Sequence, residues 1–283
     1  MTDGADDRQA ERAAEFIEGG GDLAGALAGG AVGSLGGPAG LVGGAVAGVA
    51  VTRVVKCVGA ELYARVFGPR QRDRAGAALY LAVERIRERS REGESPREDG
   101  FFEPEDFERS AGEELLEGVL LQAANAYQER KVPYLSSFYA SIALRSDISP
   151  AYAHILLRLV ERLTYRQLVA LAFFVENAGS DELAQLQGRR EVEGRWPFAD
   201  GLGRELEDLG GGDLGLLGIA QADGTVIRAD RTWGHNDFEQ QHELGNVAPT
   251  PLGRDVYELM ELARIDAAEK RAIFSLLERV PLG

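Results

Sequence analysis

Glycine recurs at every fourth residue from Gly21 to Gly37 (Gly21, Gly25, Gly29, Gly33, Gly37), and a second row follows at Gly36, Gly40, Gly44 and Gly48. In a helix this spacing lines each row along one face. A glycine inside a helix costs about 1 kcal/mol relative to alanine, so two such stripes call for a compensating interaction. Close helix–helix approach supplies one, because glycine rows let two backbones touch without intervening side chains. A flexible linker is the other use of Gly-rich chain, but linkers are polar and serine-rich. Leu23 to Thr52 carries no charge and one serine, Ser34; its 30 residues include 10 Gly, 8 Ala and 9 Leu or Val. The feature points to assembly at or in a membrane rather than to catalysis.

Length limits what this stretch does alone. A continuous 30-residue helix would run about 45 Å against a hydrocarbon core of about 30 Å. Pro38, flanked by Gly36, Gly37 and Gly40, breaks it into two arms of roughly 21–23 Å, each too short to span. The nine Leu and Val residues contribute roughly −3 to −5 kcal/mol to insertion before the proline and glycines subtract from it. Two outcomes fit: insertion when several copies pack their glycine faces, or a buried soluble hairpin. Insertion dependent on oligomerisation is the preferred reading. Residues 1–20 read as an acidic amphipathic helix, and Arg53, Lys56 and Arg65 form a basic flank on the far side. That asymmetry favours a cytoplasmic C-terminal body, peripheral or integral to an inner membrane. With neither a charged n-region nor a small-residue cleavage site before the apolar stretch, no signal peptide is expected.

A net charge of −15 over 283 residues argues against phosphate binding as the main business of the chain. The one cysteine, Cys57, excludes an intrachain disulfide framework and reads as a buried small residue in preference to a juxtamembrane palmitoylation site.

The body reads as helices in series. Residues 72–91 carry Ala75, Leu79, Ala82, Val83 and Ile86 on one face; Glu92 to Pro104, charged and broken by Gly93, Pro96 and Gly100, is the best linker. Residues 106–129 hold Leu115, Leu116, Val119, Leu120, Ala123 and Tyr127 at helical spacing. Pro133 sits in the first turn of a helix over 133–145, Ser149-Pro150 opens the next to about Leu163, and Thr164 caps one from Tyr165 to Asn177. Past residue 180 come a helix over 198–209, a hairpin within 214–229 turning at Ala222-Asp223-Gly224, and helices from Arg254 and from Asp266. The expected domains are 1–20, the 21–68 glycine hairpin, a basic helix and linker over 69–105, a helical bundle over 106–180, and 181–283. The fold class is mainly α: a glycine-zipper hairpin, a bundle, and a C-terminal winged-helix-like domain with a small β-hairpin.

Two resemblances bear on this. Leu206 and Leu209 through Leu217, then Thr250-Pro251-Leu252-Gly253-Arg254 with Tyr257 and Leu259, resemble the tail of winged-helix domains. The candidate recognition helix carries Asp200, Glu205, Glu207 and Asp208 against Arg204, a charge that repels a phosphate backbone, so a protein-contact role is expected and nucleic acid is not. Lys131-Val132-Pro133-Tyr134, Phe138 to Ala143 and Leu163 to Leu168 resemble bacterial proteins of the Abi-alpha type. That resemblance implies an N-terminal apolar segment on a helical body and an association with abortive phage defence; it brings no catalytic residues.

No enzymatic site emerges. His235, Asp237, Glu239, His242 and Glu243 lack the i, i+4 spacing of a helical zinc site and read as a solvated loop. His154 reads as a structural histidine on an apolar face. There is no nucleophile elbow and no phosphate-binding Gly-rich loop ending in Lys-Ser/Thr. No catalytic residue, cofactor or metal is expected; the expected partners are further copies of the chain, membrane lipid and an unidentified protein. A soluble adaptor with a docked hairpin is the alternative to a membrane effector.

Overall fold

The computed structural model describes residues 51, 53–55, 57–58, 68–104, 109–186, 202–210, 214–220, 226–228 and 244–279. The glycine rows, the acidic helix over 1–20, Lys56, Arg65 and the 235–243 loop lie outside them. The described chain is mainly helical and divides into two compact units, Met1–Arg162 and Leu163–Gly283.

The first unit is built on α1 (Pro69–Arg91), α2 (Ala111–Asn125), α3 (Val132–Leu144) and α4 (Pro150–Arg162). Helix α3 is buried on nearly every side: Val132, Leu135, Phe138, Tyr139, Ala140 and Ile142 and the three serines Ser136, Ser137 and Ser141 are all buried, the signature of a central helix rather than a surface one. Helices α1 and α2 both pack on it, and α4 packs on α2. Helix α1 approaches through small residues, Ala75, Gly76, Ala77, Ala78 and Ala82. The approach is close enough for the Ser136 hydroxyl of α3 to donate to the Ala78 carbonyl at 3.0 Å. Capping fixes the helix starts. Ser110 and Glu113 exchange side-chain and backbone bonds at the head of α2 (3.2 and 2.9 Å), a capping box that satisfies two amides left over by the first turn. Pro133 occupies the first turn of α3, where its missing N–H costs nothing.

Two expectations about α2 and the segment before it fail. Tyr127 is not part of the α2 stripe: the helix stops at Asn125, Ala126 turns extended, and Tyr127 is 81% exposed. The chain there is bending into the 3₁₀ turn Glu129–Lys131 that leads into α3. Nor is 92–104 a solvated linker. Arg97, Phe101 and Phe102 within it are 4%, 3% and 3% exposed, so these residues anchor an otherwise exposed strap in the core of the unit.

The second unit is centred on α5 (Tyr165–Asn177). The sequence grouping puts this helix in a bundle ending at 180, but its contacts run to elements that follow it. It is buried along Leu168 to Phe174 and packs against α7 (Leu202–Gly210), α8 (Pro251–Leu259), α9 (Ala267–Leu277) and strand β3 (Val247–Pro249). A short α6 (Asp181–Ala184) follows it. Thr164 caps α5 in a box with Gln167 (3.1 and 2.9 Å), as its sequence implies. Strands β1 (Leu217–Ala220) and β2 (Val226–Arg228) pair antiparallel with Ile219 opposite Ile227, which is the expected hairpin; its turn lies outside the described residues. Strand β3, not foreseen, pairs with the other edge of β1 in the order β2-β1-β3.

Thr250 joins β3 to α8. Its hydroxyl accepts from the Gly253 amide at 3.1 Å as an N-cap and donates to the Gly215 carbonyl at 2.8 Å. Glu176, near the end of α5, accepts from Tyr257 of α8 at 3.0 Å and from Lys270 of α9 at 2.8 Å, so one carboxylate ties three helices.

Candidate functional site

Of the residues singled out for membrane contact, Arg53 is the one the structure describes. Val51, Arg53, Val54, Val55, Cys57 and Val58 are helical. Val51, Val54, Val55 and Val58 are all within 3% of full burial, at the i, i+3, i+4, i+7 spacing of one helix face. Arg53 and Cys57 are exposed. The exposure of Cys57 corrects the expectation of a buried small residue: it falls outside the valine stripe, which four β-branched side chains already fill.

The end of the apolar segment is therefore not a bare, solvated stalk. Its Arg53 guanidinium (Nη2) donates to the backbone carbonyl of Phe102, in the strap whose composition reads as a linker. The strap is fixed at several points. Arg89 of α1 holds Glu94 with both arms (2.8 and 2.6 Å) and reaches the Ser141 hydroxyl of α3 at 2.8 Å. The Arg97 amide donates to the Ala143 carbonyl at 3.0 Å. The Arg97 guanidinium donates to the Ile148 carbonyl at 2.8 Å, grips both oxygens of Asp99, and lies 4.4 Å from the centroid of the Phe101 ring. These donors hold the Asp99 carboxyl below its ordinary range. Phe101 and Phe102 meet edge to face at 5.0 Å, and the Phe101 carbonyl accepts from the Gly112 amide at 2.8 Å. Gly112 has to be glycine at this approach, since a Cβ would lie 2.8 Å from Phe102 Cδ1.

Nothing in the composition of 92–104 advertises this role. The usable signal was the pair Phe101-Phe102 in an otherwise charged run, because two adjacent large aromatics are hard to leave in water.

Other candidate residues sit as follows. Arg204, the cation of α7, pairs with Glu207 at 3.4 Å and Asp208 at 3.5 Å. Glu205 of the same helix faces inward to Arg166 and Thr164. His154 is half exposed, with Nε2 3.8 Å from a Glu114 oxygen, so it edges the α2–α4 contact rather than filling a core. No cluster of His, Cys, Asp and Glu suited to a metal occurs among the described residues. None of the described helices is long and apolar enough to cross a membrane.

Two buried polar groups were missed by sequence reasoning. Lys131, 6% exposed, donates to the Glu161 carbonyl at 2.9 Å. Burial lowers its pKa to about 8, against a smaller opposing pull from the Glu161 carboxylate. Tyr139 is fully buried and its hydroxyl has no hydrogen-bond partner among the described residues; burial, with the Glu113 carboxylate adding to it, raises its pKa.

Against models of known protein families, curated proteins and solved structures, the chain has no match.

Proposed function

We propose that this chain is a membrane-associated bacterial effector of the defence type. In this reading its glycine-zipper segment packs against other copies and enters the bilayer on oligomerisation, while the helical body restrains it until then. The observation that carries the reading is the four-residue glycine register over 21–48 in an uncharged stretch, a pattern whose energetic cost in a single helix close backbone packing offsets. The resemblance to Abi-alpha-type proteins agrees with it. The 181–283 region serves as a winged-helix-like protein-contact module. Its α7 is a poor reader of DNA because its own acids engage Arg204. Further copies of the chain and membrane lipid are the expected partners, beside a protein trigger; no nucleic acid and no catalytic step is involved.

Leakage of dye from vesicles of phosphatidylethanolamine and phosphatidylglycerol tests this. The full chain is expected to release dye with a steep concentration dependence, and a chain lacking the first 68 residues to release none. Absence of leakage at every concentration would overturn the reading.

A specific observation favours a second one. The buried valine stripe and the Arg53–Phe102 bond suit a soluble adaptor whose hairpin stays docked. Fractionation of expressed protein separates the two: an adaptor stays wholly in the cytosolic fraction and is not toxic.

A further inference from the structure

The end of the apolar segment and the 92–104 strap meet where Arg53 reaches the Phe102 carbonyl, 49 residues away in sequence. We propose that this contact is an autoinhibitory clasp: the strap holds the Arg53 helix on the body, and breaking the bond frees the apolar segment. The proposal rests on the effector reading for its purpose but not for its physics.

Three features make the contact suited to opening and closing. The strap side is rigid, because Arg97 is buried and bonded to the Ile148 carbonyl and to Asp99 while Gly112 seats Phe101. The Arg53 residue is exposed while the bond it makes is part-buried, so another acceptor can approach the guanidinium from its solvent side. And the acceptor is one neutral carbonyl, whereas a guanidinium binds a phosphate or carboxylate with two arms and full charge. An anionic surface therefore competes with Phe102 for Arg53, and the basic flank placed beside the glycine rows would be drawn from the body to the membrane. Had the strap been the mobile linker its composition suggests, it could hold nothing.

The test uses the full chain with Cys57→Ser and Val54→Cys, so that the one thiol replaces a fully buried valine. Its alkylation by a maleimide reports opening of the Arg53 helix. Arg53→Gln is expected to raise the alkylation rate about tenfold, the low end of what a hydrogen bond to a charged group contributes. Arg53→Lys, which keeps charge but loses the fork, falls between. Because Arg53 is exposed, the body folds in all three, which an unchanged helical circular-dichroism signal verifies. Amide exchange over 51–58 in chains that keep Val54 gives the same answer without a new thiol. Equal alkylation and exchange rates with and without the Arg53→Gln substitution would overturn the clasp, whatever the vesicles do. If the rates rise but neither chain releases dye from anionic vesicles, the clasp stands and the effector reading falls.

Discussion

Gly253 lies so close to the Leu216 carbonyl that a Cβ on it would stand 2.1 Å from that oxygen. The head of α8 is thus pressed directly onto the backbone leading into β1, with Thr250 hydrogen-bonded to the same stretch through the Gly215 carbonyl.

Gly253→Ala is accordingly expected to destabilise the second unit. The obstacle is backbone, which cannot rotate aside as a side-chain tip does, so the cost should reach or exceed about 1–3 kcal/mol. Chemical denaturation followed by a probe in the Leu163–Gly283 unit checks this, and an unchanged midpoint refutes it. Gly118→Ala is the informative contrast: there the near contact of a Cβ would be a side-chain tip, Leu157 Cδ2 at 2.6 Å, and not backbone, and the loss should be smaller.

Lys131 sets a pH dependence with a definite sign. With its pKa lowered from 10.5 to about 8, the folded chain releases this proton earlier than the unfolded one. Below pH 8 both states are protonated and folding carries the full desolvation cost. Between about pH 8 and 10.5 the unfolded chain binds more protons, so stability rises with pH, by at most about 3 kcal/mol. Lys131→Met should flatten that rise in urea midpoints measured across the window; a slope unaffected by the substitution counts against the assignment.

Tyr139 works the other way. Its pKa is raised above the ordinary 10, so its contribution is intact below pH 10 and declines as pH climbs past it, where the unfolded chain has already lost the proton. Tyr139→Phe should remove that alkaline decline. It also deletes a buried hydroxyl without a partner among the described residues, and should therefore raise stability at neutral pH by about 1 kcal/mol. A clear loss of stability would mean that the hydroxyl is satisfied.

Arg97→Met should dislodge the strap. It takes from the buried Ile148 carbonyl its guanidinium donor and removes from Asp99 the guanidinium that is the main cause of its lowered pKa; leaving a buried acceptor unsatisfied costs about 1–3 kcal/mol. Limited proteolysis within 92–104 is the direct readout, with rapid cleavage expected only in the variant.

For the glycine rows the expectation is Gly33→Leu or Gly44→Leu abolishing self-association and vesicle leakage while leaving denaturation of residues 106–283 unchanged. Full activity in both variants would remove the packing role.

What was legible in the sequence was local. The Thr164 and Asp266 caps bind their partners within three residues, and the proline at the head of α3 fits a first turn by its own geometry, so sequence spacing alone carries them. The Ser110–Glu113 box is equally local, but the reading of 106–129 rests on apolar spacing and not on it. The β1–β2 hairpin is local in the same way. Strand β3 escaped because Val247–Pro249 is three residues long and extended by virtue of pairing with Leu217–Ile219, some thirty residues earlier. The strap escaped for a stronger version of that reason: Arg97 finds its acceptors at Ala143 and Ile148, and no window of sequence contains both ends. Arg53 stood out by charge and position, while its bond to Phe102 is invisible until the fold is known.

A stretch that takes its order from carbonyls and rings elsewhere has little tolerance for added length. One residue inserted between Arg97 and Phe102 would turn the aromatic pair out of register with Gly112, although by composition this looks the safest place in the chain to splice a tag or open a new terminus.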